Sequence, residues 1–355
     1  MTQNILYFAY RTFIGIGTKP TQLMRALIDI EWADLIIPSV NCTQCDHLLK
    51  YNSSRSATYE ANGTELVVGR GGEYGKGFVS QDTLTVGDGI HVPHLPFLEA
   101  NYTSPTFLEG AVDTVIGLAI DKPRYLESSH HFLPSPFATL VKENVLDRNI
   151  VSILLPRNDD DLGDIMFGDL DEALYEGDLS SHPLYPSDTT QWQIEANSVK
   201  VSDQNGTVFS EESLPGYTAR LHTFFPFIVL PPTIGEVVVN STGADCSDGC
   251  QGCKVPCDQL HELPYVTFNL GGHNFTITGE DYAVKTDITW PFCRYSVRCE
   301  LLIGPGANDY LEPETIDLGS SFLRGIYSAY DFDARSVQRM SIVKTTHVSF
   351  GVLTG

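Results

Sequence analysis

Asp29 and His222 are ionisable residues set among apolar ones, of types that can do acid and base work. Asp29 stands in Leu27-Ile28-Asp29-Ile30-Glu31-Trp32-Ala33-Asp34-Leu35-Ile36-Ile37-Pro38-Ser39, an acid closing one apolar run and followed by a second that ends in Pro-Ser. His222 stands in Ala219-Arg220-Leu221-His222-Thr223-Phe224-Phe225-Pro226-Phe227-Ile228-Val229-Leu230-Pro231-Pro232. A carboxylate and an imidazole can in principle divide the roles of base toward water and acid toward a leaving group. Cysteine chemistry is the other candidate. Cys42 and Cys45 have a spacing that suits zinc or redox work in a reducing compartment and a short disulfide loop in an oxidising one. Cys246, Cys250, Cys253 and Cys257 fall within twelve positions, and the same argument favours disulfides over zinc there.

The elements that must position these residues are short. The chain has 355 residues, enough for two lobes with sizeable cores or one large all-β body. Thirty glycines and twenty prolines punctuate runs such as Thr83-Leu84-Thr85-Val86 and Val151-Ser152-Ile153-Leu154-Leu155, which read as strands. One helix is expected over Ser135–Leu146, where Ser before Pro caps a segment with apolar residues at helical spacing. No apolar stretch is long enough to cross a bilayer, and the amino terminus lacks a charged-then-apolar leader, so the chain reads as a mature or truncated form.

A net charge of -23 argues against nucleic acid, whose phosphates such a surface repels. Seven Asn-x-Ser/Thr sequons, at Asn41, Asn52, Asn62, Asn101, Asn205, Asn240 and Asn274, point with the paired cysteines to a secreted, glycosylated protein.

Order and spacing along most of the chain, from about Tyr7 to about Val343, resemble the pepsin-like aspartic protease family. The apolar-Pro-Ser ending after Asp29, the turn Tyr51–Tyr59, Gln81-Asp82-Thr83 and the strand Asp113–Ala119 match its first half. Gln191-Trp192-Gln193-Ile194, Val255-Pro256-Cys257 and the closing signature Ile316–Asp333 match its second, while the tail from about Lys344 has no counterpart. The resemblance implies an all-β, bilobal pepsin-like aspartic protease fold with a cleft between lobes and a few short helices. It sets an amino-terminal lobe at 1–168 and a carboxy-terminal lobe with its tail at 169–355, Gly163–Asp171 being the crossing segment. It also implies disulfides Cys42–Cys45 and Cys257–Cys293; for Cys246, Cys250, Cys253 and Cys299 three pairings stay open.

Against that family the catalytic letters have changed. Its two Asp-Thr-Gly segments become Asp29-Ile30-Glu31, followed by Trp32, and His222-Thr223-Phe224. The vestigial catalytic positions are thus Asp29 and His222, and the cleft would be lined by Ile30, Glu31, Trp32, Arg70, Tyr74, Thr223 and Phe224. Arg70 falls where relatives carry a substrate-covering tyrosine; Tyr74 takes that role only if the hairpin shifts register. Asp317 interrupts an apolar pair on the floor of the site, which reads as relaxed constraint.

Aspartic proteases need two carboxylates about 3 Å apart sharing one proton. A histidine opposite a carboxylate favours an ion pair instead. The expectation is a secreted, inactive pseudoprotease that binds a protein or peptide ligand, as a monomer with no cofactor or metal and no membrane span. The alternatives are an atypical peptidase using Asp29 and His222, and a structural or storage glycoprotein.

Overall fold

The computed structural model describes residues 3–4, 10–70, 73–87, 89–105, 108, 112–120, 133–157, 162–175, 180–247, 252–285, 298–306 and 313–342. Cys250, Cys293, Tyr7–Ala9 of the opening strand and the tail from Lys344 lie outside these residues.

The described chain is a bilobal, mostly β fold with a few short helices. An eight-stranded sheet from the first half orders Ile36–Pro38, Ile90–Thr103, Glu73–Val86, Tyr10–Ile16, Gln22–Asp29 and Thr114–Gly117 along its path, with Gln3–Asn4 and Glu60–Arg70 pairing off it. A seven-stranded sheet from the second half runs from His273–Ile277 through Gln193–Ser202, Val208–Leu221 and Thr315–Leu318 to Ile303–Pro305. A five-stranded sheet ties the halves together, because Ile150–Leu154 pairs antiparallel with Ile326–Asp331.

Side-chain alternation explains these strands. Tyr10, Thr12, Ile14 and Ile16 turn inward on Tyr10–Ile16, while Phe13 is exposed. The expected helix forms over Pro136–Lys142, with the Ser135 hydroxyl accepting the Ala138 N–H at 3.0 Å and Phe137 and Leu140 buried in the core. It ends earlier than the sequence suggests, since Asn144 turns to φ 51° and breaks the helical backbone.

Two short parallel pairings set up the site. Gln22–Asp29 runs beside Thr114–Gly117, so that Asp29 lies opposite Gly117. The end of Val208–Leu221 runs beside Thr315–Leu318, with Arg220 opposite Asp317 and Leu221 opposite Leu318. The His222 N–H donates to the Leu318 carbonyl at 3.1 Å, and the Asp29 carbonyl accepts the Leu118 N–H at 2.9 Å. Asp29 and His222 therefore close equivalent strands.

A glycine is required beside each. A Cβ on Gly117 would lie 2.3 Å from the Trp32 carbonyl oxygen, and one on Gly319 would lie 2.4 Å from that of Phe227. Gly117→Ala is expected to lower unfolding stability by roughly 1–3 kcal/mol, because the loop after Asp29 must move aside. Chemical denaturation reads that loss.

One cystine differs from the expected pairing. Cys257 bonds Cys299, with Cα atoms 5.1 Å apart, where the resemblance implied Cys293. The reason is register: Lys254–Pro256 pairs antiparallel with Arg298–Leu301, setting Val255 against Cys299 and so bringing Cys257 to that sulfur. Cys42 bonds Cys45, and Cys246 bonds Cys253.

Candidate functional site

Asp29 is 4% exposed. Its Oδ1 accepts the Glu31 N–H at 2.8 Å and the Trp32 N–H at 3.1 Å, so the carboxylate folds its own loop back over the strand end. Thr223 reaches across from the other lobe. Its hydroxyl donates to the Ile28 carbonyl at 2.8 Å and accepts the Ile30 N–H at 3.2 Å. One half of a threonine crosslink between the two loops is thus present; the other half is lost because Ile30 is an apolar residue buried in the core. Thr223→Val removes both bonds and is expected to cost about 1–3 kcal/mol of stability in a denaturant titration.

His222 does not take Asp29 as its ring partner, as an Asp29–His222 pair would require. Its Nδ1 lies 2.5 Å from Glu31 Oε2 and its Nε2 lies 2.9 Å from Asp317 Oδ1. Arg220 Nε donates to that same Asp317 oxygen at 2.8 Å. All four side chains are nearly inaccessible to solvent. Two carboxylates and two cationic side chains form a balanced chain, Glu31, His222, Asp317, Arg220, that crosses from one lobe to the other.

The electrostatics follow from this geometry. Burial on its own would lower the His222 pKa, but the charge of Glu31, the hydrogen bonds of both carboxylates and the charge of Asp317 outweigh it and raise the value to about 9. Burial would likewise raise Asp317, yet the hydrogen bond and charge of His222, followed by those of Arg220, pull it down to about 2. His222 is then an imidazolium at neutral and acidic pH, with both N–H groups donated to carboxylates.

Asp317 is therefore no sign of relaxed constraint. In the equivalent pairing of the first lobe, Leu27 faces Val115, an apolar pair. Arg220 and Asp317 replace that pair with an ionic one, and Asp317 supplies the second anchor for the ring. Reading the sequence missed Arg220 and the joint role of Glu31 and Asp317. The signal was available: three ionisable residues of complementary sign stand where the resemblance implies apolar or small ones.

The bulky residues near the site behave differently from one another. Trp32 is 7% exposed and belongs to the core cluster of Leu66, Val68, Leu98 and Val115. Phe224 is 43% exposed and Phe227 37%, and Phe225 sets its ring edgewise to His222 at 5.6 Å. Trp32 therefore fills the first lobe, whereas Phe224 presents its ring to solvent.

The hairpin of Glu60–Arg70 and Glu73–Val86 pairs Val68 with Gly75, Gly69 with Tyr74 and Arg70 with Glu73. Tyr74 does not stand in for Arg70. It lies on the face opposite Gly75, where it meets Tyr102 at 6.0 Å and the Lys76 ammonium at 5.1 Å. Arg70 keeps the last paired position before the turn. Among the described residues no group of three or more His, Cys, Asp or Glu is arranged to hold a metal ion, and none is long, helical and apolar enough to cross a membrane.

The family model for eukaryotic aspartyl protease matches residues 9–341. The chain is 31% identical over 343 residues to vacuolar protease A of Aspergillus fumigatus, covering 95% of this chain and 80% of the relative. It is 29% identical to cathepsin D of Clupea harengus, over 97% of this chain and 83% of that protein, and 29% identical to renin of Canis lupus familiaris, over 92% and 78%. Paired strand ends at Asp29 and His222, a threonine crosslink between their loops and a match running through both lobes together make this chain a member of the eukaryotic aspartyl protease, or pepsin-like, family.

Proposed function

We propose that this chain is a catalytically inert member of its family, acting by binding an extended peptide or a protein ligand along its cleft or lobe surfaces. The observation that carries the reading is the pair of carboxylates on the two nitrogens of His222. Peptide hydrolysis in this family needs a second carboxylate that shares a proton with the first and activates water. In this reading the buried His222 cation takes that position. An imidazolium donates at both nitrogens and has no lone pair to take a proton from water. Loss of one member of a catalytic unit removes on the order of 10⁴-fold or more in rate.

The same observation counts against an Asp29–His222 peptidase, because a raised His222 pKa keeps the ring protonated through the acidic and neutral range. The partly exposed Phe224 and Phe227 offer apolar surface beside the altered centre, which favours a ligand-binding role over a purely structural one. The lobes divide at 168 and 169 in this reading, and the protein is a secreted, glycosylated monomer. Disulfides and relatives named as vacuolar proteases accord with passage through the secretory pathway.

The test is capture of a synthetic peptide library followed by mass analysis of what is retained. Intact peptides held equally by the wild type and by Asp29→Ala support a binder. Fragments produced by the wild type and absent with Asp29→Ala would overturn it.

A further inference from the structure

Val208 and Phe209 are 50% and 49% exposed, the one pair of consecutive residues among the exposed large apolar side chains of the described chain. They leave the turn that joins Gln193–Ser202 to Val208–Leu221. That turn is firmly built. The Asp203 carboxylate accepts the N–H groups of Asn205 at 2.9 Å and Thr207 at 2.7 Å, and Gly206 takes φ 86°, a left-handed conformation suited to glycine. Gln204 Nε2 donates to the carbonyls of His261 and Leu263 and fixes the turn against the lobe.

At the tip, exposed, stands Asn205, the first residue of the sequon Asn205-Gly206-Thr207. Phe209 is four residues on, within at most about 13 Å of extended chain. The same neighbourhood recurs at Val40, 42% exposed and next to the exposed sequon residue Asn41.

We infer that Asn205 carries an N-linked glycan whose first sugars lie over Val208 and Phe209 and shield them from water. A pyranose ring has one face lined by C–H groups and a rim of hydroxyls. Laid on a phenyl ring it removes apolar surface from water while keeping its own polar groups solvated. The sugar is thus part of the folded surface at this hairpin, a role distinct from that of a mobile solubilising chain. The inference rests on the secretory-route reading above.

The experiment uses the full chain secreted from a eukaryotic host. Glycopeptide mapping is expected to find the peptide containing Asn205 occupied, and nuclear Overhauser contacts to link the first N-acetylglucosamine to the Phe209 ring. Enzymatic removal of the sugar from the folded protein is expected to raise the fluorescence of 1-anilinonaphthalene-8-sulfonate, as is Thr207→Ala, which blocks attachment. Adding Val208→Thr and Phe209→Ser should cancel the rise. Asn205 bare while other sequons are occupied overturns this inference alone; all seven bare overturns the secretory reading as well. Occupancy with no contact to Phe209 and no change in dye fluorescence also overturns it.

Discussion

Replacing His222 with alanine is expected to destabilise the folded protein by about 3–5 kcal/mol, the cost of stripping one partner from a buried ion pair. The size comes from what stays behind. Glu31 and Asp317 would remain 5% and 9% exposed with their shared cation gone. Arg220 still bonds Asp317, so the larger share of the loss falls on Glu31, which hydrogen-bonds the ring at 2.5 Å from the opposite lobe. Adding Glu31→Gln to His222→Ala should therefore recover part of the loss, because an amide is cheaper to bury than an unpaired carboxylate. Urea denaturation of the three proteins checks both statements. Equal stability of wild type and His222→Ala would mean that the ring bears no structural load.

Stability is also expected to depend on pH in a way that a shared-proton dyad would not produce. The His222 pKa is about 9 in the folded protein against an ordinary value of 6.5, so its contribution is complete below pH 6.5 and disappears as pH rises through 9. A shift of that size corresponds to roughly 3 kcal/mol. Asp317 moves the other way, from 3.8 to about 2, so its contribution is complete above 3.8 and fades as pH falls toward 2. Both shifts describe the same contacts and are not summed. The expected profile is a plateau between pH 3.8 and 6.5 with losses on either side. Thermal melts from pH 3 to 10 test it, and His222→Ala should flatten the alkaline limb.

The fold was legible because its markers are backbone requirements. Gly117 and Gly319 must lack side chains where neighbouring carbonyls pass within about 2.5 Å, and the sequence keeps both whatever happens to the catalytic letters. Asp29 and His222 could be aligned for the same reason, since the two parallel strand ends that carry them are equivalent. Partners across the lobes were harder to read. Glu31 and His222 are 191 positions apart, and nothing local says that a residue in a glycine's place will turn toward the opposite loop. Asp317 looked like damage when taken alone. It becomes intelligible only beside Arg220, which the parallel register sets opposite it. The Cys257–Cys299 bond has the same character, being fixed by the pairing of Lys254–Pro256 with Arg298–Leu301 rather than by distance along the chain.

These substitutions make sense as a set. A cation at position 222 is costly to bury without the carboxylates on both sides, and Glu31 is costly to bury without the cation, whereas Asp317 keeps Arg220 as a second partner. In the proposed reading, an ion-paired crosslink that holds a proton stands where a catalytic pair would exchange one.

The most direct measurement is the protonation of the His222 ring by nitrogen NMR, with histidine labelled at both ring nitrogens and pH varied from 4 to 10. Both nitrogens are expected to carry protons at pH 7, with the ring titrating at a midpoint near 9. A midpoint at or below 6.5, leaving a neutral ring with an unprotonated nitrogen at neutral pH, would contradict that expectation and restore Asp29 and His222 as a workable acid–base pair.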